Sequence, residues 1–242
     1  MALYREGIEL VAGVDEVGRG CLAGPVLAAA VILPVKPSAL RRIAGVKDSK
    51  VLKQAERERL YVEIMRVALA SGVGLVGHGF IDRYGIAPAS RMAMTKAIGR
   101  LGLLPEHVLV DALRLPLVDC RQTAIIDGDA LCVSIAAASI IAKVTRDRMM
   151  VCAGRHYPGY GFEKHKGYGT PEHHRALVEH GPSPIHRLTF RPAFADCTIA
   201  ELAMARRESD VDSASVLTEE TRDRLSAPVL VLKPAPPIAA AT

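Results

Sequence analysis

Two apolar runs, IELVAGV at 8–14 and VLAAAVIL at 26–33, flank a glycine-rich turn, GRGCLAG, at 18–24. Runs of this length bounded by turn residues read as strands, and a short turn between them makes an antiparallel hairpin. Two adjacent acids, Asp15 and Glu16, stand at the junction of the first strand and the turn. A fold built on this hairpin must find a use for two carboxylates beside a flexible loop.

The rest of the chain alternates. Leu52, Leu60, Ile64, Val67 and Ala68 recur at roughly helical spacing behind Ser49, which can cap the helix. VGLVGHGF at 73–80 returns to strand character, SRMAMTKAIGRLG at 90–102 reads as a helix ending at glycine, and HVLVDAL at 107–113 as a short buried strand. TAIIDGDA at 123–130 reads as a further strand. A long apolar helix over 134–156, starting at Ser134 and turning basic late, leads into a glycine-, tyrosine- and lysine-rich loop at 157–170. A short helix then stops at Gly181, and an irregular segment, PSPIHRLTFRP, follows. Strands first, then strands alternating with helices, predict a mixed α/β sheet with antiparallel pairing at its start. Beyond about residue 195 the chain becomes polar and then rich in Pro and Ala. This divides it into a folded part, 1–195, and an extension, 196–242, expected to be a helix at most and otherwise flexible.

Half the residues are apolar, which excludes wholesale disorder; with no Trp and few aromatics the core must be built from Ala, Val, Leu and Ile. The net charge of +5 is unevenly spread. The extension carries five basic and eight acidic residues, leaving 26 basic and 18 acidic, a net of +8, on the main body. Such an excess fits a polyanionic partner. Five scattered cysteines without a C-x-x-C pair argue against a disulfide framework or structural zinc and for a reduced, cytoplasmic protein. MALYREGIEL lacks the apolar core of a signal peptide, and VLAAAVILPV at 26–35 is too short to span a bilayer.

Asp15 ends one apolar strand, Asp111 sits in LVDAL and Asp129 in IIDGDAL. An acid in such a context is costly to bury unless it is paired or binds a metal. Each alone could be a solvated strand end; three, with Glu16 beside the first, point to convergence on one site. Its ligands would all be oxygen, which suits Mg²⁺ or Mn²⁺, and two ions roughly 3.5–4 Å apart can activate water at a phosphodiester. Successive strand residues face opposite ways, so bringing Asp15 and Glu16 to one site calls for the strand to end or twist at Glu16, with Gly18 supplying the freedom. GVGLVG at 72–77 matches a dinucleotide fingerprint, but a helix precedes it and a strand follows, the reverse of what that motif needs. His165, His173, His174 and His180 read as solvated helix and loop residues, since adjacent helical histidines point about 100° apart and do not chelate together. The basic clusters at 47–50, 143–148 and 164–166 are either solvated faces or phosphate contacts.

GVDEVGRG at 13–20, followed by LAGPVLAAAVIL, resembles the opening signature of the bacterial ribonuclease HII family. KDSK at 47–50, VDALRLP at 110–116, GDALCVSIAAASIIAKVTRDRMM at 128–150 and YPGYGFEKHKGYGT at 157–170 are similar to its remaining blocks, in order and at the usual spacing. The resemblance runs from about residue 8 to 192. It implies a ribonuclease H-like fold: a central mixed five-stranded sheet flanked by helices, with a small helical C-terminal part. It implies an endonuclease that hydrolyses the RNA strand of RNA–DNA hybrids. Such an enzyme also cuts duplex DNA 5′ of a single embedded ribonucleotide, leaving 3′-hydroxyl and 5′-phosphate ends, with Mn²⁺ or Mg²⁺ as cofactor.

By position, Asp15, Glu16, Asp111 and Asp129 match the family's catalytic and metal-binding acids, Asp15 bridging two ions. Gly18, Arg19 and Gly20 match its substrate-reading loop, which senses the 2′-hydroxyl. Tyr168 matches the tyrosine that packs on the deoxyribose 3′ to the ribonucleotide, and Lys47, Lys143 and Arg146 match basic positions that hold phosphates. The expected partners are RNA–DNA hybrid and ribonucleotide-containing duplex, with the protein a monomer; the sequence names no replication or repair partner and assigns the tail no function. Cys21 departs from the proline usual after the GRG loop, which leaves that loop's rigidity open and adds an oxidisable thiol. The competing readings are a resolvase- or integrase-type nuclease of the same fold class and a non-catalytic nucleic-acid-binding module.

Overall fold

The computed structural model describes residues 2–46, 49 and 52–190. Lys47 and the expected extension at 196–242 lie outside the described residues. A short N-terminal turn, α1 (Ala2–Arg5), leads into the hairpin of β1 (Val11–Val17) and β2 (Val26–Ile32). Helices α2 (Pro37–Arg42) and α3 (Gln54–Val67), strand β3 (Ala70–Val76), and helices α4 (His78–Tyr84) and α5 (Ile86–Gly99) follow. Strands β4 (His107–Asp111) and β5 (Arg121–Ile125) complete the sheet. The chain then continues through α6 (Gly128–Leu131), α7 (Val133–His156), α8 (Phe162–His165) and α9 (Pro171–His180).

The sheet order is β3-β2-β1-β4-β5. The pairings β1–β2 and β2–β3 are antiparallel, while β1–β4 and β4–β5 are parallel. This is the mixed sheet, antiparallel at its start, expected from the order of elements, with the five strands that the family resemblance implies. β2 is buried along its whole length. Its even residues Val26, Ala28, Ala30 and Ile32 pack with Ala93, Met94 and Ala97 of α5. Its odd residues Leu27, Ala29 and Val31 pack with Leu60 and Ile64 of α3 and with Ala137, Ile140 and Ile141 of α7. Cover on both faces explains why this strand reads as a continuous apolar run instead of an alternating one.

Glycine lets both helical layers approach closely. A methyl group at Gly13 of β1 would lie 2.1 Å from the Ser134 carbonyl carbon of α7. At Gly72 and Gly74 of β3 it would lie 2.2 and 2.1 Å from the carbonyl oxygens of Ala97 and Ala93 in α5. GVGLVG therefore lies in a strand whose glycines admit a helix backbone, up to Gly77, which caps α4.

Several local expectations shift. Ser49 does not cap α3, whose N-cap is Lys53; Ser49 is instead buried and hydrogen-bonded to Ser139 at 2.8 Å. The strand expected over 73–80 stops at Val76. The following helix starts at Ile86, earlier than expected, because Gly85 at φ +85° turns the chain and Pro88 falls in the first turn, where no N–H is needed. Among the described residues no helix is long and apolar enough to cross a membrane.

Candidate active site at the carboxyl ends of β1 and β4

Parallel pairing sets Val14 of β1 opposite Val110 of β4, so the next residues, Asp15 and Asp111, leave the two strands side by side. This is the end of a parallel pair where open α/β sheets place their ligands. Val108 and Val110 join the α5 side of the core with Ala12 and Val14, so the pleat turns Asp15 and Asp111 toward α7.

The expected break at Glu16 is absent. β1 stays regular to Val17, with Glu16 opposite Ala28, and the chain turns only at Gly18, at φ +88°. β4 ending beside β1 brings Asp15 and Asp111 together, and Glu16, on the other face of the regular strand, stays within their electrostatic reach at its end. Asp129 also moves off its expected strand: β5 ends at Ile125, and Asp129 lies buried in α6, after a left-handed Asp127 at φ +53°. Gly128 N–H donates to Asp111 Oδ1 at 2.8 Å, which ties the turn carrying Asp129 to the end of β4.

The carboxyls are electrostatically coupled. Burial first, then Glu16 and Asp111, push the Asp15 carboxyl up to about 8, against the opposing hydrogen bond of Ser139. Burial also raises Glu16, with Arg19 pulling the other way through a 3.2 Å ion pair to Oε1. Glu16 Oε2 is buried without a hydrogen-bond partner. Among the described residues no group of three or more acid, histidine or cysteine side chains is arranged to hold an ion. The donor set nevertheless fits a hard divalent cation: it is all oxygen, one acceptor is buried and unpartnered, and the carboxylate form of Asp15 is costly without a positive charge. Asp15, Glu16, Asp111 and Asp129 are the residues that would hold it.

The GRG loop is built against the same end of β1. Cys21 forms an antiparallel bridge with Tyr168. Tyr168 is 38% exposed, and Lys143 Nζ stands 5.4 Å from its ring centroid while pairing with Asp147 at 2.8 Å. Lys143 therefore stays partly exposed beside the Tyr168 ring. Arg146 does not. It is wholly buried, and its Nε, Nη1 and Nη2 donate to the carbonyls of Pro25, Lys166 and Ala23. The expected phosphate contact gives way to a tie between the GRG side of the hairpin and the Tyr168 loop. Cys21 is likewise fully buried, with its thiol raised by burial, so it is shielded from oxidation. Loop stiffness comes from buried guanidinium groups.

The histidines expected in solvent are partly interior. His173 and His186 are fully buried and meet at 2.9 Å between Nε2 atoms. His173 Nδ1 donates to the Tyr168 carbonyl at 2.9 Å, and His186 Nδ1 accepts from Ser183 N–H at 2.8 Å, so both rings are neutral with defined tautomers. Burial accordingly lowers His173 to about 4. Sequence reasoning gives Ser49 a capping role instead and does not find Ser139, Gly128, His186 or Arg187. Ser49, Ser139 and Arg187 act through partners 90 to 169 residues away, Gly128 and His186 through nearer ones 3 to 17 residues away, and none has a local periodicity or spacing that marks it.

A sheet of order β3-β2-β1-β4-β5, with acids at the ends of β1 and β4, places the chain in the ribonuclease H-like fold class. The structure of ribonuclease H2 from Pyrococcus horikoshii superposes with a TM-score of 0.64 at 27% identity, covering 84% of this chain and 98% of that one. The family model for Ribonuclease HII matches residues 12–197, and the chain belongs to that family. Ribonuclease HII of Chloroflexus aurantiacus is 52% identical over 193 residues, 78% of this chain and 90% of the relative. That of Bacillus subtilis is 56% identical over 187 residues, 77% of this chain and 71% of the relative. The protein is thus a metal-dependent endonuclease, a phosphodiester hydrolase with ribonuclease H activity on RNA–DNA. The resolvase-type and purely binding alternatives fall away.

Proposed function

We propose that the enzyme cuts duplex DNA on the 5′ side of a single embedded ribonucleotide, as well as the RNA strand of hybrids, leaving 3′-hydroxyl and 5′-phosphate ends. The observation that carries this is the joining of two chemistries in one wall. Arg19 of the GRG loop pairs with Glu16, and Cys21 of the same loop bridges Tyr168. A sugar held by the loop therefore lies beside the acids, with an aromatic ring on its other flank.

Asp15, Glu16, Asp111 and Asp129 hold two Mg²⁺ or Mn²⁺ ions in this reading. Bound there, the ions lower the pKa of water and stabilise charge at the scissile phosphate. Ser139 orients Asp15, and Gly128 orients Asp111. Gly18, Arg19 and Gly20 read the ribose through backbone groups; Tyr168 lies flat on the following deoxyribose and excludes a 2′-hydroxyl there. Lys143, beside the Tyr168 ring, neutralises a phosphate. Four described cysteines are free thiols, which supports a reducing, cytoplasmic setting.

The test is a labelled duplex with one ribonucleotide, incubated with Mn²⁺ or Mg²⁺ and then with chelator. A single cut 5′ of the ribonucleotide, lost in chelator and in Asp111→Asn, is expected. Cleavage of hybrids alone would reject the single-ribonucleotide reading.

A further inference from the structure

The residue that holds the sugar-reading loop in shape lies outside every motif of the sequence. Arg187 falls in the irregular segment PSPIHRLTFRP and is fully buried. Its Nη2 donates to Gly18 O at 2.7 Å, its Nη1 to Arg19 O at 2.8 Å and its Nε to Gly24 O at 3.0 Å. One planar cation thus grips the GRG loop at three carbonyls.

The grip has a geometric consequence. The described peptide bonds are all trans, and in a planar trans peptide the N–H points opposite to the C=O. The Gly18 and Arg19 carbonyls belong to the peptide units that carry the N–H groups of Arg19 and Gly20. Drawing both carbonyls inward onto one guanidinium turns both N–H groups outward. Arg19 and Gly20 are exposed, and neither N–H has a backbone partner among the described residues. Successive N–H groups aimed the same way form a concavity for an oxygen acceptor.

We propose that Arg187 is a positioning residue for ribonucleotide recognition, holding the N–H groups of Arg19 and Gly20 toward the substrate as a donor pair for the ribose 2′-oxygen. This rests on the loop at 18–20 being the sugar reader. Lysine cannot substitute, because three donors on one nitrogen do not span three carbonyls as a planar fork does. A phosphate oxygen is the other acceptor of matching chemistry, and the substrate arms below separate the two.

The test uses the full chain with Arg187→Lys and Arg187→Met, on duplexes carrying one ribonucleotide. With wild-type cleavage as control, both variants are expected to lose about 100-fold in kcat/KM, the cost of a misplaced reader, while keeping a cooperative thermal transition and Mn²⁺ binding. An Arg187→Lys enzyme as active as wild type overturns the assignment while leaving the proposed reaction standing. Residue-resolved amide exchange needs no Arg187 variant and covers the case in which one fails to fold. In an Asp111→Asn background, the Arg19 and Gly20 amides are expected to exchange freely in the unbound protein. The single-ribonucleotide duplex should protect them and an all-DNA duplex should not. Equal protection by both duplexes would give the donors to phosphate and overturn the 2′-oxygen assignment.

Discussion

Asp111 Oδ1, at the end of β4, accepts a hydrogen bond from the N–H of Gly128 at 2.8 Å across 17 residues of chain. This bond fixes one acid of the site and, through the next residue, the approach of another. Asp111→Asn keeps an oxygen that can accept from Gly128 but removes the negative charge. Cleavage should fall by more than the roughly 10–100-fold that outer-shell partners cost, with an unchanged or raised unfolding temperature. Single-turnover kinetics and a thermal melt on the same preparation check both halves; substantial residual cleavage would remove Asp111 from the site.

Ser139 links Asp15 to Ser49, and its hydrogen bond favours the ionised form of Asp15. Ser139→Ala should therefore reduce activity by about 10-fold. It should also move the acid limb of the pH–rate profile to higher pH. A variant with reduced rate and an unmoved limb would mean that Ser139 serves packing alone.

Tyr168→Ala removes the ring beside the loop while keeping the backbone bridge to Cys21. Cleavage at a single ribonucleotide flanked by deoxyribose should fall about 100-fold, with uniform hybrid affected less, as expected if the ring positions the junction. Comparing kcat/KM on the two substrates reads this directly, and equal losses would count against a junction-sensing role.

The metal-free protein should lose stability as pH rises toward 8. Asp15 is raised to about 8 from 3.8, so the folded chain holds that proton more tightly than the unfolded one. The stability it contributes is present below 3.8 and is lost as pH rises through 8. Glu16 acts in the same direction. His173, lowered to about 4 from 6.5, acts oppositely: its contribution is complete above 6.5 and is lost as pH falls through 4. The two slopes oppose between these limits, and above 6.5 that of Asp15 remains. In chelator the unfolding temperature should drop between pH 6.5 and 8, and Asp15→Asn should flatten the drop. A wild-type curve that is level over this window would contradict the burial of that carboxyl.

Gly13→Ala should destabilise the fold by about 3 kcal/mol, since its methyl would fall against the backbone of α7, which cannot turn aside as a flexible side chain would. Urea denaturation measures this; a cost under about 1 kcal/mol would show that α7 can shift.

Much of the architecture was legible. The β1–β2 hairpin, α7 and α9 carry local signals: two apolar runs around a glycine turn, a long apolar helix, and Thr170 with Pro171 before a helix stopped by Gly181. Ser49 was misread because capping chemistry and a buried hydroxyl bond use the same side chain, and only packing chooses between them. Asp129 was misread because IIDGDAL has strand composition up to the point where Asp127 turns left-handed.

The sequence by itself determined which residues are the candidates for the chemistry, because acids inside apolar runs and a glycine-flanked arginine are costly features that stand out from their neighbours. Tertiary structure decided how they meet. The parallel register of β1 and β4 brings Asp15 beside Asp111, and buried Arg146 and Arg187 reach 121 to 169 residues along the chain to set the GRG loop. A guanidinium bound to carbonyls leaves no local pattern, since its partners are backbone atoms that every residue has. Its role exists only once the fold has removed it from water.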